Sequence, residues 1–111
     1  MPKDRFKVEL TQGAEDDLEA IFDYLAANRS AEEAGDLLIA LEAKIATLEL
    51  FPLRGSVPKE IEPLGIREFR QILMTPYRLI YRVIGQRVFI LVIADGRRDM
   101  QALLEHRLLG R

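Results

Sequence analysis

Hydrophobic residues recur with two different periods along this chain, and the switches between them mark out the elements. Phe6, Val8 and Leu10 alternate with Lys7 and Glu9, the period of two expected of a short strand with one buried face. Thr11 and Gly13 interrupt the alternation. Ala14, Leu18, Ile21, Phe22 and Leu25 then follow at spacings that line one face of a helix. Glu15, Asp16, Asp17, Glu19 and Asp23 fill the remaining positions, and acids in the opening turns complement the positive end of the helix dipole. Ser30 with Glu33 three residues later reads as a capping box, in which hydroxyl and carboxylate each satisfy an orphaned backbone N–H. Leu37, Leu38, Leu41, Ile45 and Leu48 carry the stripe of this second helix to around Leu50, before Pro52 and Gly55 stop it. So short a connection predicts an antiparallel helical hairpin with apolar stripes to bury.

After a loop from Phe51 to around Gly65, the segments Ile66–Met74, Tyr77–Ile84 and Arg87–Ala94 are rich in Ile, Val, Leu, Tyr and Phe. Thr75-Pro76 and Gly85-Gln86 separate them, the second with glycine first, as a type II′ hairpin prefers. These three segments read as an antiparallel meander. Asp95-Gly96-Arg97-Arg98-Asp99 ends it, and Met100, Leu103, Leu104 and Leu108 suggest a short closing helix. The expected fold is a single α+β domain over residues 1–111. A helical hairpin packs on a small, mainly antiparallel β-sheet in the order β-α-α-β-β-β-α. The pattern leaves open which strand the first one pairs with.

Composition narrows the class. With 111 residues, 49% hydrophobic and 31% charged, the chain has the balance of a soluble domain with one core. No stretch approaches the roughly 18 apolar residues of a membrane helix. Cysteine is absent, which excludes disulfides, Cys-ligated metal and thiol chemistry and fits a reducing cytoplasm. Met1-Pro2-Lys3-Asp4-Arg5 contains no apolar run, so no secretory leader is expected. The net charge of -2 hides an asymmetry: residues 1–55 hold 6 Lys/Arg against 12 Asp/Glu, and residues 56–111 hold 10 against 6. A basic second half predicts an anionic partner.

Alternation places Arg78 and Arg82 on one face of the third strand and Tyr77 and Tyr81 on the other. Arg70 on the neighbouring strand and Arg97 and Arg98 beyond the last one complete the set. Five guanidinium groups converging near one sheet face could grip phosphates by forked hydrogen bonds. The plainer expectation is that Arg70, Arg78 and Arg82 pair with Glu68, Asp95 or Asp99 and lock the sheet edge. Tyr77 and Tyr81 are expected beneath the hairpin with their hydroxyls at its rim. His106, the one histidine, reads as a helix-end residue rather than a general base. Ser30 and Ser56 occupy a cap and a loop without a nucleophile elbow around them. The acids from Glu15 to Glu19 read as a solvated helix start, so no metal is expected. The lack of a glycine-rich phosphate loop leaves no cofactor expected either.

Particular residues point further. Thr11-Gln12-Gly13-Ala14 with Asp17-Leu18, Ile21 and Tyr24-Leu25; Pro52 and Gly55; Ile66-Arg67-Glu68-Phe69; Pro76 through Val83; and Val88-Phe89-Ile90-Leu91 before Gly96-Arg97-Arg98-Asp99 together resemble the RelE/ParE superfamily of type II toxin–antitoxin toxins. The resemblance covers nearly the whole chain and implies a small cytoplasmic toxin held in a hetero-oligomer with a cognate, ParD-like antitoxin. RelE-like members cut mRNA on the ribosome with basic residues and, commonly, a Tyr or His near the C-terminal end. ParE-like members lack that set and poison DNA gyrase. Here no Tyr follows Tyr81, and Asp95 stands before Gly96 where relatives often carry His. The expectation is therefore the ParE-like branch. The alternatives are a ribosome-dependent endoribonuclease using Arg78, Arg82, Arg97 and Arg98, and a non-toxic relative that only binds a regulator. The resemblance also implies an antitoxin wrapped over the helices and sheet, with Leu18, Phe22, Leu37, Leu41 and Ile45 as apolar contacts and Arg70, Arg78 and Arg82 as anchors for acidic side chains.

Overall fold

A four-stranded mixed sheet carries a helix pair on one face and a single helix on the other. The computed structural model describes residues 5–111; Met1–Asp4, from which the lack of a leader was read, lie outside the described residues. The elements are β1 (Lys7–Leu10), α1 (Gln12–Asn28), α2 (Ala31–Ala46), β2 (Phe69–Met74), β3 (Tyr77–Ile84), β4 (Arg87–Asp95) and α3 (Met100–Leu109). Short 3₁₀ turns at Thr47–Glu49 and Glu62–Leu64 punctuate the segment between α2 and β2. The order is the one the hydrophobic pattern predicts. Among the described residues, no helix is long and apolar enough to cross a membrane.

Local chemistry fixes the boundaries. Thr11 caps α1, its hydroxyl accepting from the Ala14 N–H at 3.3 Å while its own N–H and hydroxyl both donate to the Ile90 carbonyl at 3.0 Å. One residue thus starts a helix and fastens it to β4. Ser30 Oγ accepts from the Glu33 N–H at 3.0 Å, but the Glu33 carboxylate turns to Arg29 Nε at 3.1 Å, so the capping box is half made. The second helix ends at Ala46, where the Thr47 hydroxyl donates to the Lys44 carbonyl at 2.7 Å and the last turn tightens to 3₁₀. β2 begins at Phe69 rather than Ile66, because Ile66 packs into the core beneath α3 instead of pairing.

Strand order is β1-β4-β3-β2, with β2, β3 and β4 forming the antiparallel meander. The partner left open for β1 is β4, in parallel register with Lys7 opposite Arg87 and Leu10 opposite Ile90. That arrangement follows from the helix hairpin, which carries the chain across one face as parallel neighbours require. Gly85 takes φ of 60° at the β3–β4 turn, and no non-glycine residue among those described has positive φ, as a type II′ turn demands.

Each sheet face has its own core. Under the hairpin, Leu79, Tyr81, Val88, Ile90 and Ile93 pack with Ala14, Leu41 and Leu48. On the other face Phe69, Ile80, Val92 and Ala94 pack with Ile61, Met100 and Leu104. A bulge in β4 serves both. Tyr81 pairs with Ile90 and Ile80 with Val92, so Leu91 has no partner on β3 and the alternation reverses beyond it.

Candidate functional site

The five arginines do not converge. Directly opposed residues of an antiparallel pair share a face, and Arg70 is opposite Tyr81 whereas Arg82 is opposite Phe69 and Arg78 opposite Leu73. Arg70 therefore lies on the hairpin face and the other two beneath α3. The Arg70 guanidinium donates to the Gly55 carbonyl at 2.7 Å and to the Leu53 carbonyl at 3.3 Å, clamping the loop before β2.

Arg78 is the more consequential departure. It is buried, and its two terminal nitrogens reach the two Glu60 carboxylate oxygens at 2.8 Å each. Nε completes the set on Gln71 Oε1 at 2.8 Å. The pairing expected for it was real in kind, but the partner is Glu60 from the loop. The guanidinium beside Glu60 holds that carboxyl below its ordinary value against the opposing effect of burial. Gly96 makes room for this side chain: a Cβ there would stand 3.0 Å from Arg78 Cδ. Arg82 meets Glu68 at 3.0 Å, as the plainer expectation has it, and lies over the Phe69 ring at 5.8 Å.

Tyr81 is fully buried, and its hydroxyl accepts from the Gly55 N–H at 2.9 Å rather than standing at a rim. Burial pushes the phenol up from its ordinary value, opposed by the Gly55 donor. A Cβ on residue 55 would fall 2.5 Å from the Gln71 carbonyl and 2.6 Å from that hydroxyl, which is why glycine stands there. Tyr77, by contrast, is only half-buried.

Tyr77 opens onto a cleft of about 840 Å³ between α1 and the ends of β3 and β4, lined also by Tyr24, Arg29, Asp95, Arg97 and Arg98. Asp95 accepts from the Arg97 N–H and Nε at 2.9 Å each, which lowers its carboxyl to about 2. Burial, followed by the Asp95 charge, raises the Tyr77 phenol. Arg98 is exposed and makes no ion pair among the described residues. Two of the five arginines thus gather here, while Arg78 and Arg82 do not line the cleft.

A second concavity, apolar and about 370 Å³, runs between β1 and the hairpin. Leu18, Ile45, Val8 and Leu10 line it, with Glu42 and Glu49 at its rim. Of the apolar residues expected to meet a partner, Leu18 and Ile45 are placed here half-buried. Leu41 also reaches it but is fully buried core, while Leu37 packs on that core and Phe22 is half-exposed on α1.

Sequence reasoning missed one more contact. Arg107 on α3 grips Asp17 on α1 with two hydrogen bonds of 2.9 and 3.0 Å, and donates to the bulged Leu91 carbonyl at 2.8 Å. Asp17 in turn accepts from the Ile93 N–H at 3.0 Å. The pair covers the β4 edge that β1 is too short to reach. Gly13 is its local signal, since a Cβ there would stand 2.7 Å from Arg107. His106 is exposed near the end of α3, with Nδ1 3.1 Å from the Arg111 carbonyl. Among the described residues, no group of three His, Asp or Glu gathers as a metal site would require.

This arrangement of sheet, hairpin and closing helix has known counterparts. A family model described as the ParE toxin of type II toxin–antitoxin systems, parDE, matches residues 8–100. The chain belongs to the ParE toxin family. Toxin ParE3 of Caulobacter vibrioides is 31% identical over 98 residues, which span 88% of this chain and 94% of that protein. Among solved structures, the chromosomal ParDE toxin–antitoxin system from P. aeruginosa superposes with a TM-score of 0.68 at 21% identity, over 84% of this chain and 98% of its counterpart. The toxin–antitoxin complex RelBE2 from Mycobacterium tuberculosis gives a TM-score of 0.57 at 21% identity, over 85% and 94%. The stretch matched to the ParE toxin family takes in Gly13, Asp17, Gly55, Arg78, Tyr81 and Gly96. It ends at Met100, so Arg107 lies beyond it.

Proposed function

We propose that this ParE-family toxin acts in the cytoplasm by holding DNA gyrase through protein–protein contact and so stopping replication. A ParD-like antitoxin bound in a hetero-oligomer neutralises it. Arg78 carries this conclusion. Cleaving an RNA phosphodiester calls for a cation free to meet the developing charge and a positioned proton-transfer group, the latter contributing about 10²–10⁴-fold. Arg78 spends its donors on Glu60 and Gln71 beneath the surface, and Tyr81 is locked on Gly55. Tyr77, next to Arg78 on β3, opens onto the cleft, but burial and the Asp95 charge raise its phenol above its ordinary value, which makes it a poor base. Arg97 pairs with Asp95 and Arg82 with Glu68 at the surface, which leaves Arg98 as the member of that set without an ion pair among the described residues.

The surfaces left for partners suit proteins. The tyrosine cleft offers aromatic edges beside Arg98, and the groove beside β1 offers Leu18 and Ile45 to an apolar antitoxin segment. Purified toxin added to gyrase and relaxed plasmid is expected to abolish supercoiling, and added antitoxin to restore it. Codon-positioned cuts in mRNA on translating ribosomes, with supercoiling untouched, would overturn the proposal in favour of an endoribonuclease. Induction that leaves growth unimpaired would leave only a regulator-binding relative.

A further inference from the structure

Between α2 and β2 the chain turns through an elbow that presents apolar side chains to solvent. Phe51 is 60% exposed, Leu53 62% and Leu50 41%. The elbow is nevertheless held rigidly. Phe51 N–H donates to the Thr47 carbonyl at 3.1 Å, Arg54 N–H to the Phe51 carbonyl at 3.2 Å, and Arg54 NH1 to Thr47 Oγ1 at 2.7 Å. Arg70 clamps the Leu53 and Gly55 carbonyls from below, and Ser56 exchanges two backbone hydrogen bonds with Gln71. Thr47, Leu50, Phe51 and Arg54 together line a hollow of about 460 Å³.

Fixed backbone under exposed aromatic and aliphatic side chains suits a binding surface, because the backbone ordering entropy has already been lost before association. Nothing in the intramolecular packing accounts for three large apolar residues exposed within four positions. The charge around them narrows the partner. Arg54 and Arg70 flank the elbow, and the Glu49 carboxylate nearby is paired with Arg5 at 3.1 Å. The groove beside β1 is the opposite case, lined by Glu42, which makes no ion pair among the described residues, next to the Arg5-paired Glu49. One segment cannot complement both. We infer that the elbow is the surface that grips the toxin's target, receiving an acidic segment with apolar side chains, while the antitoxin lies in the acid-rimmed groove next to it.

This inference rests on the reading that the chain acts by protein contact, and the test separates the two. Phe51→Ser combined with Leu53→Ser, and separately Arg54→Glu with Arg54→Lys as its control, are to be compared with wild type. The measurements are growth arrest on induction, supercoiling by purified gyrase, affinity for the co-expressed antitoxin, and the thermal melt. The double variant and Arg54→Glu are expected to relieve growth arrest and to need at least tenfold more protein for half-inhibition. Antitoxin affinity should stay within twofold of wild type, and Arg54→Lys should behave as wild type. Unchanged toxicity overturns the inference, as does a loss of antitoxin affinity beyond twofold. Should the double variant melt early, the exposed Arg54 pair decides alone. Wild-type growth arrest without loss of supercoiling refutes gyrase as target, yet the comparison of growth arrest still decides the elbow. No arrest by wild type overturns both.

Discussion

Replacing Glu60 by Gln probes the buried pair from which the functional proposal starts. Both side chains are nearly enclosed, at 11% exposure for Arg78 and 9% for Glu60, so neither partner can recover its hydration if the other is lost. Removing one member of such a pair costs about 3–5 kcal/mol. Glutamine keeps one acceptor for the guanidinium, so the expected loss at pH 7 is about 2–3 kcal/mol. For a domain of this size that lowers the melting temperature by about 8–15 °C. The pH dependence carries the sign. Arg78 depresses the Glu60 carboxyl below its ordinary 4.5 in the folded state. Stability from this source is therefore fully present above 4.5 and disappears as pH falls through the lower folded value. The gap between wild type and Glu60→Gln should accordingly be widest near neutrality, narrow as pH falls below 4.5 and close once pH passes the lower folded value, in urea melts followed by circular dichroism. Glu68→Gln, which breaks the exposed pair with Arg82, should cost less than about 1 kcal/mol and serves as the control. A Glu60→Gln protein as stable as wild type at pH 7, or a gap that does not narrow in acid, would refute the reasoning.

Three further outcomes follow from the site geometry. Tyr81→Phe leaves the buried Gly55 N–H without its acceptor and should cost about 1–2 kcal/mol in the same melts, with Gly55→Ala costing more because its Cβ meets backbone. Arg107→Ala should release the Asp17 carboxylate and the β4 edge, seen as faster amide exchange at Ile93 with little change in the β2–β3 ladder. The Asp95 carboxyl should titrate at about 2 by carbon NMR and move up towards its ordinary 3.8 in Arg97→Ala; Asp95→Asn should bring the Tyr77 phenol down towards 10.

The element order was legible because period-two and period-3.6 segments do not overlap in this chain, and the turn residues stand between them. The side-chain faces were less so. Reading β3 alone gives the correct split of Tyr81 from Arg78, yet the face of Arg70 depends on register. The two-residue connection Thr75-Pro76 pairs Met74 with Tyr77 and, four steps out, Arg70 with Tyr81; counting it through puts Arg70 on the opposite face. Glu60 had no such signal. It sits in an irregular loop, 18 residues before Arg78, and only the folded path brings them together. Asp17 was hidden differently, as one acid among several at a helix start, although it alone faces β4. The parallel partner of β1 was likewise beyond pattern, since an edge strand of four residues alternates identically beside any neighbour.

The sheet joins the beginning of the chain to its end, with Lys7 against Arg87 and Asp17 against Arg107, 90 residues apart. Contacts so distant in sequence form late and slowly, because the whole intervening chain must be present and closed into a loop first. During synthesis the first strand waits for residues 87–90, and Asp17 on the first helix waits for Arg107. The interval between the appearance of the first strand and a closed sheet is thus set by the topology.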